Sequence, residues 1–142
     1  MKPLARIAAV SGVLLCAIPL FAGAAEPSYG QREFQTRCAM CHGTAGRGGG
    51  WMAEYLIQRP PVLTQLKKNN GGSFPREQIA RVIDGRTDVK LHGPRQMPVW
   101  GSIYQTEIET AGGPRGGTRE ESDININYRI QALIGYLATI QE

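Results

Sequence analysis

The sequence predicts an all-α domain with long loops, whose centre is filled by something besides its own side chains. Three observations predict this. Apolar residues recur three and four apart in a late segment, Ile126, Ile130, Leu133, Leu137 and Ile140, and again more briefly at Ile79, Val82 and Ile83, the spacing of one helical face. No segment alternates apolar with polar residues as a half-buried strand does. Aromatic residues are only 7% of 142, while glycine (18) and proline (9) are plentiful, so large side chains to fill a core are few.

The elements follow in order. Residues 1–25 read as a secretory signal peptide: Lys2 and Arg6 form a positive start, Ile7 to Phe21 is mostly apolar, and Ala22-Gly23-Ala24 is a small-residue cleavage site. Pro19 interrupts the apolar run, which falls short of the ~20 residues of a spanning helix. Cys16 follows Leu15 rather than a small residue, so it does not read as a lipidation site, and cleavage removes it. No transmembrane segment is expected after cleavage, and the mature domain is 26–142. Gly30 to Cys41 reads as a helix, with Phe34 and Cys38 on one face. Residues 43–50 (GTAGRGGG) are a glycine-rich loop, but no GK[ST] closes it and no strand precedes it, so it is not a phosphate-binding loop. Trp51 to Ile57 is a short helical turn, and Pro60-Pro61 enforces extended backbone. Phe74 to Asp84 is a helix with Pro75 at its start, Glu77 in its first turn and Gly85 to end it. Residues 86–104 read as an irregular loop carrying Pro94, Pro98 and Gly101. Residues 102–123, with AGGPRGG inside, read as an extended polar loop. The last helix runs from about Asn125 to Gln141.

The chemistry concentrates at CAMCH, residues 38–42. Structural zinc needs four ligands, usually in two pairs. The mature chain offers Cys38, Cys41, His42 and His92, and His42 is too close to Cys41 to share one tetrahedral centre with both thiolates. A thioredoxin-like dithiol needs a βαβ context that is lacking. A Cys38–Cys41 disulfide would close a tiny loop and constrain little. C-x-x-C-H is a haem-attachment pattern: Cys38 and Cys41 project from neighbouring positions to one porphyrin edge, and His42 is directed at the iron. Export agrees, because covalent haem attachment in bacteria takes place outside the cytoplasmic membrane.

The sixth iron ligand must come from elsewhere in the chain. Met40 lies inside the motif and cannot reach the opposite face. Met52 is ten residues past His42, beyond flexible glycines. Met97 is 55 residues past His42, in HGPRQMPVWG, where Pro94 and Pro98 stiffen the backbone. His92, five residues from Met97, is the competing ligand on the same loop. Loop stiffness favours Met97, and an axial methionine also raises the reduction potential.

With its haem motif early and its methionine loop late, the chain resembles the class I cytochrome c family over residues 28–142. FPREQIARVIDGR and HGPRQMPVWG resemble a bacterial monohaem subgroup. Gly30 and Phe34 precede Cys38 at the family's spacing, and Tyr136 stands where the family has an aromatic in its last helix. The resemblance implies that these two helices cross, with the glycine permitting close approach. It also implies that the Pro61 carbonyl accepts a hydrogen bond from His42 Nδ1, which orients the ring and raises its basicity, and it supports Met97 as axial ligand. Arg95 and Trp100 flank the methionine loop, where one of them is expected to meet a haem propionate.

The expected function is that of an exported, periplasmic electron carrier and not an enzyme: one covalent haem c, its iron held by His42 and Met97, passing single electrons between redox protein partners. The runner-up is a cytochrome subunit of an oxidoreductase or respiratory complex, docking through 102–123. An enzyme or gas sensor with a labile sixth ligand is a third class. Removing Lys2 and Arg6 lowers the formal charge of +4 to +2, a mildly basic surface that suits an acidic protein partner. No Lys/Arg run interleaves with aromatics, so nucleic acid is not a partner.

Overall fold

In a computed structural model the chain is described over residues 26–86, 96–111 and 118–142. The expected signal segment, Cys16, His92, Pro94 and Arg95 lie outside these residues. Every regular element among the described residues is helical: α1 (Tyr29–Glu33), a π-helical turn (Phe34–Cys38), α2 (Ala39–His42), α3 (Leu66–Asn69), α4 (Arg76–Asp84), α5 (Trp100–Ala111) and α6 (Arg119–Thr139). Short 3-10 turns lie at Ala53–Tyr55 and Leu63–Gln65. The all-α expectation holds.

The expected helix over 30–41 is present, with a wider turn at its centre. Ser28 starts it, its Oγ accepting from Gln31 N at 3.1 Å. The π turn at Phe34–Cys38 widens the coil at the residues that lead into CAMCH, and such turns are common at functional sites. α4 ends as expected at Gly85, whose N–H donates to Arg81 O at 2.9 Å.

The core lies where α1 and the π turn meet α4, α5 and α6. Phe34, Tyr104, Ile126, Leu133 and Ile134 are fully buried in it, joined by Ile79, Ile83, Ile130 and Leu137. The late apolar stripe faces this core, and each such side chain is stabilised by roughly 1.5–3 kcal/mol on burial. α1 crosses α6 so closely that a Cβ on Gly30 would stand 2.0 Å from Ala132 O. The rings of Phe34 and Tyr136 then meet with centroids 5.2 Å apart.

Two boundaries differ from expectation. Residues 102–123 are not one extended loop: α5 occupies Trp100–Ala111, and α6 starts at Arg119 rather than near Asn125. In α5, Trp100, Tyr104 and Ile108 recur four apart and pack on the core, which outweighs the local preference of its polar residues for loop. Thr106 and Thr110 turn their hydroxyls back onto the carbonyls of Ser102 (3.0 Å) and Thr106 (2.7 Å), as mid-helix threonines can. At the start of α6, Thr118 and Glu121 exchange a reciprocal pair of bonds, Glu121 N to Thr118 Oγ1 at 3.2 Å and Thr118 N to Glu121 Oε2 at 2.7 Å. This capping box sets the helix start at Arg119, seven residues before the apolar stripe begins at Ile126.

Candidate functional site

CAMCH sits where the π turn passes into α2. Cys38 closes the π turn, and Ala39 to His42 form α2. Both cysteines are half-buried free thiols, and Cys38 packs against the apolar core. Burial, reinforced by the Glu33 carboxylate, pushes the Cys38 thiol up to about 12. His42 is 9% exposed. Burial lowers its pKa, against the opposing effect of a hydrogen bond to the Pro61 carbonyl, which favours the neutral ring, the form that binds a metal.

The glycines after His42 are not a flexible tether. They fold back over the end of α2 and satisfy carbonyls that a helix leaves unpaired. Gly48 N donates to His42 O at 2.8 Å, Gly50 N to Cys41 O at 3.2 Å, and Met52 N to Met40 O at 2.9 Å. A Cβ on Gly50 would stand 2.2 Å from Met40 O, so this position has no room for a side chain.

The same wrap brings Pro61 to His42. Leu63 N donates to Gly46 O at 2.7 Å. From the other side Gln141 holds the segment, its Nε2 donating to Leu63 O at 2.8 Å and its Oε1 accepting from Lys67 N at 2.9 Å, while Glu142 N donates to Thr64 O at 2.9 Å. Between these anchors the Pro61 carbonyl lies 3.4 Å from His42 Nδ1, long for a hydrogen bond but directed at that atom. With Nδ1 turned to Pro61, Nε2 is the ring nitrogen left for a metal.

Met97 is half-buried and packs on the same apolar cluster as Cys38. Its segment is tied down by Gln96, whose Oε1 accepts from Gln58 N at 3.1 Å. Trp100 begins α5, half-buried, with its ring 5.9 Å from that of Tyr104 and 6.0 Å from the guanidinium carbon of Arg37.

Sequence reasoning missed a charged cluster that runs beside Cys38. Arg129 on α6 pairs with Glu33 at 2.6 Å and Glu107 at 2.9 Å. Arg37 pairs with Glu33 at 2.8 Å and Glu107 at 2.7 Å. The Arg129 guanidinium carbon stands 3.8 Å from the centroid of the fully buried Tyr104 ring, a cation–π contact. Burial pushes the Tyr104 hydroxyl up, as does the Glu33 carboxylate. The Arg129 guanidinium, although burial lowers its pKa, is raised on balance by hydrogen bonds to Glu33 and Glu107. The only sequence signals were the four-residue spacing of Glu33 and Arg37 and the Trp100–Tyr104–Ile108 stripe.

Two thiols on one helix end, a neutral imidazole oriented through Nδ1, and a thioether on the same apolar cluster are a donor set that fits a covalently attached haem. Among the described residues, no helix is long and apolar enough to cross a membrane. Residues 25–111 match the family described as cytochrome c oxidase, cbb3-type, subunit III. No curated protein and no solved structure matches the chain.

Proposed function

The chain belongs to the class I c-type cytochromes, in their cbb3-type family, and from that premise we propose that it is an exported monohaem cytochrome that passes single electrons between protein partners. Membership carries a haem and electron transfer with it; the residue roles, the single haem and the periplasmic site of action are our reading. Cys38 and Cys41 hold the haem as thioethers, so the cofactor is not lost outside the cytoplasm. His42 binds the iron through Nε2, and Pro61 orients its ring and strengthens it as a donor. Met97 is the sixth ligand, with its loop fastened at Gln96 and at the start of α5. The bound haem supplies a one-electron couple; the residues set its ligands and the low dielectric around it. With His42 and Met97 both bound to it, the iron would offer no open position to oxygen or peroxide.

The observation that carries this reading is the α2 end: two thiols beside a buried imidazole whose Nδ1 faces the Pro61 carbonyl at 3.4 Å. Visible spectra of the purified protein test it. The oxidised form is expected to show the weak sulfur–iron charge-transfer absorption, and the reduced form the sharp bands of a six-coordinate haem. A five-coordinate spectrum in both states would defeat the ligand assignment.

The family's description as an oxidase subunit favours a second reading, a cytochrome subunit fixed in an oxidoreductase or respiratory complex. Sedimentation of the native protein from its source separates the two, since migration as an isolated monomer speaks against the subunit reading.

A further inference from the structure

The charged cluster between α1, α5 and α6 links two stretches of chain that the haem reading requires to stand at a fixed distance. Arg37 immediately precedes Cys38 and emerges from the π turn. Its guanidinium reaches α5 in two ways. It forms a fork on Glu107, with Nη1 to Oε1 at 2.7 Å and Nη2 to Oε2 at 3.1 Å, and it lies beside the rings of Trp100 and Tyr104, at 6.0 and 5.7 Å from their centroids. Trp100 is the first residue of α5, three residues past Met97. Arg129 completes the link from α6, joining Glu107 to Glu33 beneath the Tyr104 ring. The side chains of Glu33 and Arg129 are only 10% and 13% exposed. A fork of two charge-assisted bonds fixes direction as well as distance. Register along α5 therefore fixes where its first turn begins, and with it where the Met97 segment ends.

We propose that Glu107 is a positioning residue for the methionine ligand: by docking on Arg37 and Arg129 it latches α5 against the attachment helix and holds the Met97 thioether at the iron. This rests on the reading of Met97 as axial ligand. Loss of the latch lets the first turn of α5 drift and raises the population in which Met97 is detached, while α1, α6 and the attachment motif keep their own packing.

The test uses holoprotein carrying Glu107→Gln, which keeps the shape and removes the charge, with Glu107→Asp, Met97→Ala and Thr118→Ala beside it. Thr118→Ala loosens the α6 cap away from the latch and controls for global destabilisation. Three readouts are taken: sulfur–iron absorption of the oxidised protein, carbon monoxide affinity of the reduced protein, and global unfolding by circular dichroism. E107Q is expected to lower the sulfur–iron absorption and to raise carbon monoxide affinity roughly tenfold, the factor carried by one charge-assisted hydrogen bond. E107D is expected to fall between E107Q and the wild type, and T118A to leave both haem readouts unchanged while lowering the unfolding midpoint. If E107Q and T118A shift carbon monoxide affinity alike for equal loss of stability, or if E107Q shifts it not at all, Glu107 is merely structural and the proposal is overturned. If Met97→Ala leaves the sulfur–iron absorption intact, the ligand reading itself has failed and the latch has nothing to position.

Discussion

Replacing Gly30 with alanine tests the helix crossing on which the attachment helix rests. A Cβ at Gly30 would lie 2.0 Å from Ala132 O, 2.6 Å from Ala132 C and 3.2 Å from Leu133 N. All three atoms are backbone, so no side chain can swing aside, and carbon–oxygen contacts settle at about 3.3 Å or beyond. α1 must therefore withdraw from α6 by on the order of 1 Å, and a gap of that size forfeits roughly a quarter to a half of each dispersion well across it. The contacts at stake include Phe34 against Tyr136, within the core cluster that also holds Leu133. Overpacking of this kind costs about 3 kcal/mol at its upper range, and the better helix propensity of alanine returns about 1, leaving G30A destabilised by about 2 kcal/mol. Gly135 on α6 supplies the control, because a Cβ there meets nothing within 4 Å; G135A should stabilise the protein by about 0.5–1 kcal/mol. Urea unfolding of the holoproteins measures both, with an unchanged slope showing that the denatured state is the same. G30A as stable as wild type, or moving in step with G135A, would refute the account of the crossing.

Two further predictions follow from single contacts. Thr118→Ala removes one half of the capping box and should lower stability by about 1 kcal/mol, read as a shift in urea midpoint; no shift would mean that α6 does not depend on its cap. The Glu107 carboxyl is pushed up by burial but held on balance below its ordinary 4.5 by hydrogen bonds from Arg129 and Arg37. A lowered folded pKa contributes stability that is fully present above the ordinary carboxylate range and is lost as pH falls through the lowered value. The unfolding midpoints of wild type and E107Q should thus differ at neutral pH and converge in acid, and a gap that stays constant across that range would rule out the contribution of this carboxylate.

What was legible in the sequence was local or periodic. The apolar stripe of α6 could be read because one face of one helix carries it, and α4 because Pro75, Glu77 and Gly85 punctuate it. CAMCH stood out because the haem-attachment pattern is defined by spacing alone. α5 escaped because the large side chains it packs on the core, buried Tyr104 and half-buried Trp100 and Ile108, are few, while Pro98, Gly101 and the glycines after Ala111 speak locally for loop. Only the core that receives those three side chains decides otherwise. The cluster of Glu33, Arg37, Glu107 and Arg129 escaped for a stronger reason. Its partners lie 22 to 96 residues apart apart from the Glu33–Arg37 pair, and nothing in a charged residue's own neighbours announces a distant counter-ion. The glycines at 43–50 misled in the opposite direction. Their composition suggested slack, whereas their backbone donors close the end of α2 and their lack of side chains lets the chain turn back toward Pro61.

The most direct measurement of the central claim is the mass of the purified protein after full denaturation and extraction with acidified organic solvent. The account predicts the mass of the mature chain plus one haem, with the haem removed by substituting Cys38 and Cys41 by serine. A bare polypeptide mass from the unsubstituted protein, with the haem recovered in the solvent, would contradict covalent attachment at CAMCH.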